Sequence, residues 1–446
     1  MVVSTNDLPF PFVARKTVIA RFDGGNITSD AGFVLLAKVD RKLGLCESLA
    51  GSVVDRRCQK RIVHSLAEMM RARIFAIAMG YEDANDFDTL ADDPALRIAC
   101  GRGLTKKERL ASQPTLSRLE NEVDSKDLLA MAMTLGEIVT RQLPKDTRRV
   151  ILDVDATADP CYGQQELGLF NGHYQTDCYL PVYLHLTADD GVQRLAAAML
   201  RPGSADAKVG LWPLLGRAIR LLTDRFPDVE IVLRADGAYG QAQVIAFCET
   251  NGLGFVLGLP ANSRVQALAA PIESKALAAA RESKDHEPYR GYASFKYQAD
   301  SWENEQRVVE RIEVKEGVLN ARFVVTNLPE LSAEALYQFY CGRGEQENRI
   351  KESKLDLASG RTSCHRFLAN QFRLLLHTAA GVLFNAMQAA LAGTHLANAQ
   401  IGTIRLKLLK VGAQAKESVR AIWLRMSSTF TEQALWHTLS VRFGET

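Results

Sequence analysis

The sequence predicts an α/β protein in which a mixed sheet with a β-rich insertion is flanked by a mainly helical N-terminal region and a helical C-terminal region. Two observations carry this. At about Arg148 the hydrophobic period changes from helical to strand-like, and the chain then reads as three strands, helix, strand, helix, strand. A second set of strands, rich in alternating polar residues, follows within about 264–330 before helices resume. With 446 residues the chain exceeds one typical domain. The expected regions are 1–147, 148–363 (interrupted at about 264–330) and 364–446.

A strand-like start at Thr17–Phe22 precedes the helical part. In KRIVHSLAEMMRARIFAIAMGY the residues Ile62, Leu66, Met69, Met70, Phe75 and Ile77 recur at roughly helical spacing. SQPTLSRLENEV opens with a helix-start signal, since Ser112 can cap and Pro114 suits a first turn. LLAMAMTLGEIVTRQL is a further helix. RRVILDVDAT is a strand whose β-branched and leucine content suits burial. CYLPVYLHL and VQRLAAAML, joined by ADDG, read as a hairpin. A helix over 208–225 leads to the strand VEIVLRADGAYG, the helix QAQVIAFCETN and the strand GFVLGLP. That order predicts an antiparallel meander followed by parallel crossovers. KALAAARESK is a helical piece, and GYASFKYQA, ERIEVKEG and ARFVVTNL are the insertion strands. From near Ser332 the pattern is helical to the end.

Composition is that of an ordinary globular protein, 47% hydrophobic and 24% charged, which excludes a disordered or fibrous chain. The net charge of +2 at first disfavours a nucleic-acid partner, but it divides unevenly. Residues 1–149 carry +3, residues 150–363 carry −7, and residues 364–446 carry +6. An acidic centre between basic flanks suits a metal-binding core with DNA contacts around it. The eight cysteines form no C-x2-C pair, and the eight histidines, His286 among them, show no metal spacing. The start has no apolar core of signal-peptide length, and no apolar run reaches membrane-spanning length, so the expectation is a cytoplasmic protein without membrane contact. No GxxxxGK[ST] motif is present, which argues against an ATP-driven helper.

Three places hold candidate chemistry. Asp153 and Asp155 lie two apart on one strand and so point to one face, where a cation would offset their burial; either can instead cap the ATADP loop. Asp236, in RADGAYG, stands at a strand end, where α/β sheets bind ligands, although an aspartate in a D-G pair also serves plain turns. In YCGRGEQENRIKESKLDL, the residues Tyr340, Arg343, Glu347, Lys351 and Lys354 step by three, four, four and three along one helical stripe. Two strand-end aspartates and a helical glutamate can form an all-oxygen cluster that favours Mg2+ or Mn2+.

Over most of its length, and most strongly over about 148–363, the sequence resembles the DDE transposases of bacterial insertion sequences. The resemblance rests on the Y-x2-R-x3-E-x6-K signature at Tyr340, Arg343, Glu347 and Lys354, on the D-x-T element Asp155–Thr157, and on Asp236. The opening NITSDAGFVLLAKVD and the segment ASQPTLSRLEN also look like one subgroup of that family. The resemblance implies an RNase H-like catalytic core in which Asp155, Asp236 and Glu347 bind two Mg2+ ions, with Mn2+ able to substitute. It implies that Tyr340, Arg343 and Lys354, with Lys351 on the same stripe, contact DNA. It implies a homodimer acting on terminal inverted repeats and target DNA, with the N-terminal region recognising the ends. Because the family's first aspartate sits in D-x-T, Asp155 is the expected ligand and Asp153 a structural residue. Trp302 fits a core tryptophan better than one stacked on a flipped base. The other readings are a DNA-binding protein with a repurposed core and another metal-dependent nuclease on the same core.

Overall fold

The computed structural model describes residues 8–13, 16–282 and 288–444, and His286 lies outside them. The chain divides into two compact units, Glu120–Asn385 and Met1–Leu119 with Ala386–Thr446.

The first of these units is built on an eight-stranded mixed sheet. Its strands are β1 (Arg149–Ala156), β2 (Val182–Thr187), β3 (Gln193–Met199), β4 (Glu230–Ala235), β5 (Gly254–Leu259), β6 (Tyr289–Tyr297), β7 (Gln306–Lys315) and β8 (Val318–Thr326). Their order across the sheet is β6-β7-β8-β5-β4-β1-β2-β3. The expected meander is present: β1, β2 and β3 pair antiparallel in turn. Two helical crossovers then return the chain in parallel. Helix α2 (Leu211–Arg225) leads to β4 beside β1, and α3 (Ala242–Thr250) leads to β5 beside β4. Helix α1 (Ser125–Arg141) precedes β1 and is capped by Asp124, which accepts from the N–H groups of Lys126 and Asp127. The central strands are almost wholly buried, which is why β1 and β4 read as mainly apolar.

The β-rich insertion does not build a layer of its own. Strand β8 pairs antiparallel with β5, so β6–β8 widen the main sheet and cover what would be the open edge of β5. The helix ahead of them, α4 (Ser263–Glu282), is longer than the KALAAARESK segment suggests. Trp302 is buried and packs edge-on against Tyr297, with ring centroids 5.2 Å apart.

After β8 come α5 (Ala333–Cys341), α6 (Arg343–Asp356) and α7 (Phe367–Ala390). The single helix expected to carry Tyr340 through Lys354 is two helices meeting at Gly342. The Nη1 of Arg234 donates to the carbonyl of Phe339 at 2.5 Å, and a Cβ at position 342 would stand only 2.4 Å from that nitrogen. A buried guanidinium thus fills the place a side chain would need.

The second unit contains the helices Phe33–Leu43, Leu45–Gly51 and Leu66–Ala78, which form much of its core. Pro114 is the second residue of the Gln113–Glu122 helix. The expected strand at Thr17–Phe22 is observed as Lys16–Ala20, paired with Leu8–Val13. The C-terminal region is not wholly helical. Ala413–Glu417 and Ile422–Met426 form a hairpin, and the first of these strands also pairs with Ile27–Thr28. IWLRM has the β-branched and aromatic content of a strand, and its partner strand 27–28 comes from the other end of the sequence. Among the described residues no helix is long and apolar enough to cross a membrane.

Candidate active site

Asp155 is the next-to-last residue of β1, and Asp236 follows directly on the parallel neighbour β4. The register pairs Val154 with Ala235, so both carboxylates leave the sheet at the same end, where open α/β sheets place their ligands. Asp236 is fixed by capping the 310 turn Gly237–Tyr239, its carboxylate accepting from the Ala238 N–H at 2.9 Å. Glycine at 240 is a packing requirement. A Cβ there would stand 2.1 Å from the carbonyl oxygen of Gly258 on β5, so only glycine lets the turn lie against the neighbouring strand.

Helix α6 supplies Arg343 and Glu347. The Arg343 guanidinium reaches the Asp155 carboxylate at 3.3 Å and the Glu347 carboxylate at 2.6 Å, bridging strand and helix. The carboxyl of Asp155 is pushed up to about 6, chiefly by burial. Arg343 opposes that rise, while the charges of Asp236 and Glu347 add to it. The three carboxylates therefore feel one another electrostatically. Tyr340, at the end of α5, lies in the same field. Burial raises its hydroxyl pKa, with Arg343 lowering it and Asp236 raising it.

Among the described residues, no three acidic, histidine or cysteine side chains gather closely enough to form a ready metal cage. The donor set nonetheless fits a hard divalent cation. Its three candidate side chains offer only carboxylate oxygens, and burial, the main cause of the raised pKa of Asp155, leaves that carboxylate a charge that a cation would stabilise.

Other signature residues have different surroundings. Lys351 is exposed on α6. Lys354 is anchored: its ammonium donates to Thr157 Oγ1 at 2.8 Å and to the Ala158 carbonyl at 2.7 Å, and pairs with Asp159 Oδ1 at 2.7 Å. Two of the three N–H donors of this ammonium are hydrogen-bonded within the protein, and its charge is paired with Asp159. Asp159 is fully buried, and its carboxyl pKa is raised by burial against the opposing pull of Lys354. Gly360 lets the chain pass close to this carboxylate, since a Cβ there would stand 3.0 Å from Asp159 Oδ1.

Asp153 faces a different partner from Asp155. It is fully buried and holds Arg234 at 2.6 and 2.9 Å, with Gln193 Nε2 donating at 3.0 Å. Arg234 sits directly opposite Asp153 in the β1–β4 register, stacks over the Phe339 ring, and so ties the two strands to the α5–α6 junction. Buried Gln346 donates to the Asp153 carbonyl at 2.8 Å. It lies 3.3 Å from Nδ1 of His185, an imidazole pushed down to about 3 by burial and held neutral. Arg234, Gln346 and Asp159 are the supporting residues that sequence reasoning passed over, while buried His185 is structural, in keeping with histidines that show no metal spacing. A signal for one pair was available, because Arg234 in EIVLRA and Asp153 in VILDVDA each place a charge inside a mainly apolar strand.

A mixed α/β sheet with carboxylates at adjacent strand ends, beside a helix carrying Arg343 and Glu347, is compatible with an enzyme of the transposase class. The family model described as Transposase DDE domain group 1 matches residues 10–444, and the chain belongs to this DDE transposase family. It is thus an enzyme of DNA transposition and recombination; such enzymes bind DNA and generally use divalent metal ions. A comparison with curated proteins gave no match.

Proposed function

We propose that this transposase cleaves DNA at the ends of an insertion sequence and joins the freed 3′-OH to target DNA, with Asp155, Asp236 and Glu347 as its catalytic carboxylates. The observation that carries this reading is geometric: Asp155 and Asp236 leave adjacent parallel strands at the same end of the sheet, and Arg343 bridges Asp155 to Glu347 on α6. We further read Glu120–Asn385 as an RNase H-like core. The order β3-β2-β1-β4-β5, with only β2 antiparallel to its central neighbours, supports that assignment. Two Mg2+ ions, or Mn2+, held by the three carboxylates would stabilise the attacking and leaving oxygens of an in-line displacement. In the first step water adds to a phosphorus and the 3′-oxygen leaves; in the second that 3′-OH adds to a target phosphorus and displaces another 3′-oxygen.

Tyr340, Arg343 and Lys351 are read as contacts to the DNA near the scissile bond. Arg343 is already poised between two of the carboxylates, and its planar fork suits a phosphate. Lys354 is read as holding the strand end that follows Asp155 against α6. Recognition of the element ends is assigned to the N-terminal region, and pairing of two ends to a homodimer on DNA.

The test is single replacement of Asp155, Asp236 and Glu347 by alanine. Each variant is expected to lose Mg2+-dependent cleavage of terminal-repeat DNA while binding it nearly as well as the unaltered protein. Cleavage surviving in any one variant removes that residue from the site. An unaltered protein that binds ends without cutting them would favour a repurposed DNA-binding protein.

A further inference from the structure

We propose that the C-terminal hairpin, residues 413–426, is a DNA-docking ribbon that grips the phosphate backbone of duplex DNA through Lys416, Arg420 and Arg425. The proposal rests on the reading of the chain as a DNA-binding enzyme and names a surface for it outside the carboxylate site.

The hairpin has two unlike faces. Ala413, Ala415 and Leu424 turn inward and pack with Ala31, Val411 and Phe430. Alternation sends the intervening residues outward. Lys416 lies opposite Trp423, Gln414 lies opposite Arg425, and Ile27 of the third strand lies on the other side of Gln414. Trp423 and Ile27 are each 59% exposed, so the outer face carries an uncovered aromatic and an uncovered aliphatic side chain among cations. The connecting turn is closed by Ser418 N–H donating to the Ala421 carbonyl at 2.8 Å, and it presents Arg420 at the tip.

Charge is sorted between the faces. Among the described residues, Lys416, Arg420 and Arg425 form no ion pair. The hairpin's single acid, Glu417, is occupied elsewhere, accepting from the Leu104 N–H at 2.7 Å. Three cations without an ion-pair partner among the described residues thus face solvent on a short hairpin. A duplex, with one charge per roughly 1.7 Å of axis, is the matching partner, and a two-stranded ribbon fits its major groove. Residues 364–446 carry +6 overall, so the field around the hairpin favours the same partner. Trp423, between the cations, supplies an apolar contact to the groove wall.

The experiment measures binding of the full-length protein, without Mg2+, to a random-sequence duplex and to a terminal-repeat duplex over a range of KCl concentrations. For K416Q/R420Q/R425Q, the slope of log K against log salt should fall by about 0.9 per lost phosphate contact, equally on both duplexes. W423A should weaken binding with the slope unchanged, because it removes no charge. All four side chains are solvent-facing, and an unchanged melting temperature checks that both variants remain folded. A triple variant with the parent slope overturns the proposal while leaving DNA binding itself intact. If W423A or the triple variant instead alters the oligomeric state with the slope unchanged, the face is a contact between copies and the proposal also falls. An unaltered protein that binds neither duplex defeats the underlying DNA reading as well.

Discussion

Replacing Lys354 by methionine deletes an ammonium while keeping most of its aliphatic stem, and the structure sets what that should cost. Asp159, fully buried, then loses the cation 2.7 Å away, and the Thr157 hydroxyl and Ala158 carbonyl lose a donor. Removing one partner of a buried ion pair typically costs about 3–5 kcal/mol. The Lys354 side chain is 25% exposed, so water softens the loss and the lower end, about 3 kcal/mol, is expected. Chemical denaturation of K354M should show that shift. D159N should cost less, because it removes the charge that needed neutralising. In the double variant, much of the K354M penalty should disappear, giving a coupling energy on the order of 2 kcal/mol in a double-mutant cycle. A phosphate contact predicts something else: parent-like stability and a salt slope for DNA binding reduced by about 0.9. Parent-like stability in K354M with that reduced slope would refute the anchoring role. Because the anchored segment begins two residues after Asp155, K354M should also raise the Mg2+ concentration needed for cleavage.

Two further outcomes follow from buried groups. Glu310 on β7 is pushed up to about 8, first by burial and then by Glu273. The folded protein therefore keeps a proton that the unfolded chain releases near 4.5. Stability is full below that value and falls as pH rises towards 8, by up to about 1.4 kcal/mol per pH unit for this one group. E310Q should flatten that part of the stability–pH curve, and an unchanged slope would remove Glu310 as its source. G342A should lower the melting temperature, because the added Cβ displaces Arg234 from the Phe339 carbonyl, at about 1–3 kcal/mol for such overpacking; a parent-like melting temperature would show that the junction can give way.

The sequence by itself determined the elements of the central sheet and their order. Strands with few charges, a D-G turn and helices of clear period are local signals, and they recur in β1 through β5. CYLPVYLHL, however, is split: Thr176–Tyr179 joins a separate small sheet and only Val182–Thr187 enters the central one. The spacing of Tyr340, Arg343, Glu347 and Lys354 was equally legible, and it sufficed to suggest the family. Tertiary structure decided the partners. The D-x-T element favours Asp155 over Asp153 only through the family resemblance; the physical difference comes from the β1–β4 register, which sets Arg234 opposite Asp153 and leaves Asp155 to Arg343. Nothing local shows that Lys354 is spent on Asp159, because that pair closes across 195 residues of chain. The C-terminal strands fall in a segment that reads as helical although IWLRM has strand-like content, and their third strand comes from residues 27–28 at the other end of the sequence. Periodicity reports which face a residue shows to the core, whereas a charge finds its counter-charge only when distant segments are packed together.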